Sequence, residues 1–378
     1  MKNLPIELVG AVVENVSSTS DLLQLRSVNS TCRDLVTANL FRRVHIQNSV
    51  QSALNCRSIL ASPSLAVHVR EVVYDQRDHA QFCLLPPSVQ DTCDELEIAD
   101  LEDALTETFC SLPDFKNLQG ITLNFWPSLR TQSGVEVHEN PFWFTTRQVT
   151  VLHAVHHAMK SSSMRSLSLN NVVLMPLSQY AFVSALKQSP LHHFSMSVVA
   201  NSELGAWSGS KALNGSLSSL LPVSNPTLKS LVLRSPQGAY HSLASQLRSF
   251  EYSSLETLVL EKIVFDHTPS ADGIEEFIIR HKNTLRRLEI RSCASYVPTT
   301  ATPIRQWATI WKRLEEELVS LQELVVDEAP QCYALLDATR GYIPHPSLPQ
   351  APAELAEEDH QGYQQFKNRV NIRLASAS

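Results

Sequence analysis

One short pattern, apolar-x-x-apolar-x-apolar, returns nine times in this 378-residue chain. It reads Phe41/Val44/Ile46, Val69/Val72/Tyr74, Leu118/Ile121/Leu123, Met164/Leu167/Leu169 and Leu191/Phe194/Met196. Then come Leu228/Leu231/Leu233, Leu255/Leu258/Leu260, Leu285/Leu288/Ile290 and Leu321/Leu324/Val326. First positions lie 27 to 49 residues apart. The last two apolar residues of each copy alternate, as on a strand with one buried face. Helical patterning fills most gaps, at Val50–Leu60, Leu101–Leu112, Val149–Met159, Tyr180–Leu186, Leu243–Phe250, Ile274–Ile279 and Ile304–Leu318. Strand, connection, helix and next strand is the recipe for a parallel sheet. Repetition at this period predicts an irregular α/β solenoid over residues 41–340.

The pattern is similar to the leucine-rich repeat, in a divergent form. Its ninth position, commonly Asn or Cys in that family, is Cys293 in one copy. Elsewhere it is Trp126, Val172, Pro236, Ile263 or Ala329. A doubly wound α/β fold is the alternative architecture. It would carry a glycine-rich first turn after a strand, and this chain has only 10 glycines and no such turn.

Four excursions interrupt the array: Asp75–Glu97, Asn124–Thr146, Val198–Gly215 and Cys293–Pro303. Each follows the carboxyl end of a predicted strand, so they should gather on one rim, where long loops carry recognition. Trp126, Trp143, Phe144 and Trp207 on them are candidate target-binding residues, with core cover as the competing role for the aromatics near Trp143. Positions three, five and seven of each copy face away from the helices. They change from small and polar to charged toward the C-terminus. Arg287 and Arg291 are candidates for gripping a carboxylate or phosphate. Glu289 between them, with Glu261 and Glu323 on adjacent strands, favours mutual neutralisation instead.

Ahead of the repeats, residues 1–40 hold three short helical patterns with more apolar residues than so small a unit can bury. Pro5 suits a first helical position, followed by Ile6, Leu8, Val9, Val12, Val13 and Val16 at helical spacing. Ser20 is a candidate cap for the second helix, with Asp21 in its first turn, and Asn29 or Ser30 for the third. This stretch resembles an F-box. The likeness lies in the leading Leu4-Pro5, the aliphatic helix behind it, Asp21-Leu22-Leu23-Gln24-Leu25-Arg26, and the close from Val28 to Leu35. Asn29 and Cys32 depart from the family's usual Cys and Trp or Phe. The resemblance implies docking onto the Skp-family adaptor of a cullin–RING ubiquitin ligase through Leu4, Pro5, Ile6, Leu8, Val12, Leu22, Leu23, Leu25 and Val28. It further implies a non-catalytic substrate receptor whose repeat surface holds a target protein. An interaction scaffold outside any ligase, or a divergent α/β enzyme, are the alternatives.

Composition narrows the chemistry. A net charge of −7 supplies no basic field for nucleic acid. Seven cysteines, odd in number and without a Cys-x-x-Cys, suggest neither a zinc ribbon nor a disulfide framework. A reducing compartment, cytoplasmic or nuclear, fits them. No apolar run reaches membrane-spanning length, and no cofactor is implied. His153, His156 and His157 share a helix face, but lack the companion ligands of a metal site. No cysteine has the setting of a catalytic thiol. The four prolines and acidic run within residues 341–362 read as a linker, and residues 363–378 as a short helix, Tyr363–Leu374, or a tail.

Overall fold

The computed structural model describes residues 5–16, 18–76, 95–125, 141–160, 163–173, 180–199, 220–222, 225–235, 241–242, 247, 250–265, 273–297, 305–327, 332–337, 341–344 and 353–377. The elements begin with α1 (Ile6–Asn15), α2 (Thr19–Arg26), α3 (Ser30–Leu40), β1 (Arg43–Gln47), α4 (Val50–Leu60), α5 (Pro63–Ala66) and β2 (Glu71–Asp75). Next come α6 (Glu95–Ser111), β3 (Gly120–Asn124), α7 (Pro141–Met159), β4 (Ser166–Val173), α8 (Tyr180–Gln188), β5 (His193–Val199), β6 (Ser230–Arg234) and β7 (His241–Ser242). The chain continues through β8 (Thr257–Glu261), β9 (Ile263–Phe265), α9 (Ile274–Arg280), β10 (Arg287–Arg291), β11 (Ala294–Tyr296) and α10 (Trp307–Glu317). It ends with β12 (Glu323–Val326), β13 (Cys332–Asp337), β14 (Gly341–Pro344) and α11 (Ala353–Ala377).

The architecture is α/β. Nine strands form one parallel sheet in the order β1-β2-β3-β4-β5-β6-β8-β10-β12, so sheet order follows chain order. Each of these strands carries one copy of the sequence repeat, and paired residues align copy against copy. Val44, Val72 and Ile121 pair in register, as do Ile46, Tyr74 and Leu123. Phe194, Leu231, Leu258, Leu288 and Leu324 make a second such row. These apolar positions are buried. Each buried leucine contributes about 1.5–3 kcal/mol relative to an exposed one.

A repeated backbone seam joins the copies. The amides at positions two and three both donate to the position-two carbonyl of the preceding copy. Arg70 and Glu71 donate to Arg42 O, Gln119 and Gly120 to Arg70 O, and Arg165 and Ser166 to Gln119 O. Farther on, Lys229 and Ser230 donate to His192 O, Glu256 and Thr257 to Lys229 O, Arg286 and Arg287 to Glu256 O, and Gln322 and Glu323 to Arg286 O. In these seven steps position two carries one doubly engaged acceptor, which fixes register independently of the side chains.

A second sheet, in the order β14-β13-β11-β9-β7, is absent from the sequence expectations. It begins where the eighth residue of a copy turns left-handed, at Lys262 (φ 56°) and Ser292 (φ 47°). Asn171 (φ 59°) holds the equivalent place in β4. The turn redirects the chain so that the ninth residues, Val172, Ile263 and Cys293, are buried. These ninth residues therefore pack inside the protein. The expected excursion Cys293–Pro303 accordingly contains a strand, β11.

The chain divides into two compact units, Met1–Trp126 with Glu139–Ser166, and Pro127–His138 with Leu167–Ser378. Within the first, the three N-terminal helices stand in the same unit as β1–β3. Only Phe41 and Arg42 separate α3 from β1. Asn39 Nδ2 donates to Val13 O at 3.2 Å, fastening α3 to α1.

Two expectations need correction. The aromatic stretch at Phe142–Phe144 is helical, because α7 starts at Pro141, eight residues before the apolar periodicity at Val149. Residues 341–362 are not a continuous linker. β14 pairs antiparallel with β13, and α11 begins at Ala353 rather than Tyr363. Glu357 and Glu358 of the acidic run stand within that helix and not in a linker. In the second unit α11 lies on α10. Phe366 and Val370 are fully buried, with Trp311 5.9 Å from the Tyr363 ring and 6.4 Å from that of Phe366. Asp359, 2% exposed, accepts from Ala308 N at 2.8 Å and from the Tyr333 hydroxyl at 2.5 Å. Arg373 Nη1 donates to Leu318 O at 2.7 Å, at the carboxyl end of α10.

Candidate protein-docking site

The N-terminal helices assemble by short local rules. α2 is capped by Ser18, whose side chain accepts from Asp21 N at 3.3 Å, two residues ahead of the expected Ser20. Asn29 caps α3, accepting from Cys32 N at 2.7 Å. Pro5 is the residue before α1 rather than its first helical position, and its carbonyl accepts from Leu8 N and Val9 N. The three helices close on Val13, Leu22 and Val36, with Val16, Leu25, Leu35 and Leu40 partly buried against them. Cys32 is buried as well.

That small core leaves apolar residues outside it. Ile6, Leu8, Val12, Leu23 and Val28 are each 51 to 56% exposed, and Pro5 is exposed beside them in sequence. Leu8 and Val12 lie one helical turn apart and share a face. Single exposed aliphatics are ordinary on a protein surface. Five on about twenty-three residues, outside a core already closed, concentrate apolar area where a partner would cover it. Of the residues expected at the contact, Leu22 is buried and Leu25 half-buried. They support the helices from inside instead of facing outward. Leu4 lies outside the described residues. Val50, Leu54 and Val67 on α4 and just after α5 are also exposed and were not singled out from the sequence. The spacing of Val50 and Leu54, one turn apart, was the available signal.

The expected target-binding residues divide differently. Trp126 and Trp207 lie outside the described residues. Trp143 and Phe144 belong to α7, with side chains outside the description. Arg287 and Arg291 are brought together, but by Glu289 between them. Its carboxylate, 4% exposed, accepts from Arg287 Nε at 2.7 Å and from Arg291 Nη2 at 2.5 Å. Arg287 Nη1 also reaches Glu323 at 2.7 Å. Burial pushes the Glu289 carboxyl up, yet the two guanidiniums outweigh it and hold its pKa below the usual value. Both arginines are thus engaged within the sheet face, the arrangement that charge alternation on neighbouring strands favours.

The remaining chemistry-bearing groups are packed. The ring centroids of His156 and His157 lie 3.8 Å apart, and His156 is buried with Nδ1 at the His153 carbonyl. Desolvation, together with His156, Lys160 and His153, lowers the His157 pKa. Among the described residues no three His, Cys, Asp or Glu side chains are placed to hold a metal ion. Burial pushes the Cys56 and Cys293 thiols up to about 12, far from an activated thiolate. No helix among the described residues is long and apolar enough to cross a membrane. Compared with known proteins, the chain matches no protein-family model and no curated relative.

Proposed function

We propose that this protein is the substrate-recognition subunit of a Skp–cullin–F-box ubiquitin ligase. Pro5, Ile6, Leu8, Val12, Leu23 and Val28 meet the Skp-family adaptor, and Leu22 and Leu25 hold the helices in shape behind them. The observation that carries this reading is the set of aliphatic side chains left outside a closed three-helix core, on a stretch whose spacing resembles an F-box. The repeat region offers a target surface and acts by geometry, not by bond-breaking. Tethering a target raises the effective concentration of its lysines near the conjugating enzyme.

Co-expression with a Skp-family adaptor and isothermal titration test the reading. The full chain should bind the adaptor. Val12→Asp with Leu23→Asp should weaken binding at least about thirtyfold, the effect of losing about 2 kcal/mol at contact anchors. Circular dichroism of the variant should match wild type, because both residues are exposed. A folded wild-type chain that does not associate with the adaptor would refute the assignment.

A further inference from the structure

The seam between copies also aligns side chains. In the N-terminal unit the position-two residues are Arg42, Arg70, Gln119 and Arg165, each tied by backbone bonds to its neighbour. Adjacent strands lie about 4.8 Å apart, so the three arginines hold register positions in a single row at the amino-terminal edge of these strands, with Gln119 between Arg70 and Arg165. Arg42 is exposed, and Arg70 and Arg165 are half-buried. Among the described residues none of the three has a carboxylate partner. The side-chain bond shown for them is Arg165 Nη1 to Met164 O at 3.3 Å. The nearest acid in sequence, Glu71, is held by Arg43 at 2.7 Å. Asp114, in the turn before β3, has Lys116 two residues on.

The same row in the C-terminal unit is built differently. There Lys229 lies 3.2 Å from Glu256, and Arg286 donates to Ser320 O. That row pairs one of its cations with a carboxylate, and among the described residues the N-terminal row pairs none, in a chain whose net charge is −7. The carboxyl ends of α5 and α7 lead into β2 and β4 and favour nearby cations. Partial charges at helix ends do not balance three full ones.

We propose that Arg42, Arg70 and Arg165 form a docking surface for an extended acidic segment of a partner polypeptide. Guanidinium groups match carboxylates in a bidentate fork. Four strands span about 15 Å, the length of four to five extended residues. A short segment meets the row alone, whereas a long phosphate polymer would also overlie the acidic remainder of the molecule. The surface is independent of the adaptor reading, since none of its residues belongs to the exposed aliphatic set.

Fluorescence anisotropy of a labelled Asp/Glu peptide, titrated with the full chain at low and at physiological salt, tests this. Saturable binding that weakens with salt is expected. Arg42→Glu with Arg165→Glu should weaken it by at least about tenfold, and the milder Arg42→Gln with Arg165→Gln should act in the same direction. Lys229→Glu should leave it unchanged. Absence of peptide binding, or binding that the charge reversals do not alter, overturns the proposal. Tighter binding of a single-stranded oligonucleotide of equal charge also overturns it, by giving the row to phosphate.

Discussion

Replacing Asp359 with alanine tests how the C-terminal helix is held. The change removes one carboxylate from a site 2% exposed and leaves two donors, the Ala308 amide and the Tyr333 hydroxyl, without this acceptor. A buried donor left unsatisfied costs about 1–3 kcal/mol, so the pair sets a range of about 2–6 kcal/mol. Burial of the carboxylate opposes this, since it raises the Asp359 pKa above 3.8 and its removal relieves that strain. A net loss of about 2–3 kcal/mol is expected. Trp307 and Trp311, stacked at 5.0 Å beside the site, make tryptophan fluorescence during urea unfolding the natural assay. Because the folded-state pKa is raised, the carboxylate's penalty is absent below pH 3.8 and grows as pH rises through the folded value. The advantage of wild type over the variant should therefore be larger in acid than at neutrality. A loss under about 0.5 kcal/mol would refute the reasoning. So would strict additivity with Tyr333→Phe in a double-mutant cycle, because groups sharing a hydrogen bond must couple.

Four further outcomes follow from particular side chains. His281 is held neutral, with Nδ1 bonded to Phe277 O at 2.7 Å and Nε2 accepting from Tyr252 N at 3.0 Å, and burial lowers its pKa below 6.5. Its contribution is complete above about pH 6.5 and is lost as pH falls below that value; His281→Gln should flatten this part of a stability–pH profile. Among the described residues the buried Tyr252 hydroxyl has no hydrogen-bond partner, so Tyr252→Phe should be neutral or stabilise by about 1 kcal/mol in denaturant titration. Lys262→Val should cost about 1–2 kcal/mol, since a β-branched residue is strained at φ 56°. Leu22→Ala should cost about 2–3 kcal/mol while the neighbouring Leu23→Ala stays within about 0.5 kcal/mol, separating core from contact by chemical denaturation.

The parallel sheet was legible because its signal is carried by apolar residues that must be buried. All nine copies of the pattern became strands of that sheet, in chain order. Helices α4 and α9 likewise followed from their apolar spacing, to within one residue. The second sheet was not legible, since β7, β9 and β11 have only two or three residues and β13 and β14 lie outside the nine repeat copies. The left-handed turns ahead of β9 and β11 fall on Lys262 and Ser292, residue types that announce no such turn. The C-terminal helix was shortened for a different reason. Acidic residues after prolines look like solvated linker, and one of them, Asp359, is instead buried against α10. At the N-terminal helices, the sequence does not separate buried Leu22 from exposed Leu23, because adjacent leucines on a short helix can divide between inside and outside in either way. Only the capping geometry, begun at Ser18 rather than Ser20, sets the helix phase.

The seam between copies bears on how such a chain can change length. Among the described residues, seven steps use the same two amides and the same carbonyl, whatever side chains lie there. Excising the copy that begins at Leu255, from position two to the next position two, would set Arg286 and Arg287 against the carbonyl of Lys229. No donor or acceptor would be left over. Excising a fraction of a copy would strand two amides and one carbonyl. Insertions and losses that survive in descendants of this gene should therefore come as whole copies, or fall in the segments between one strand and the next position two.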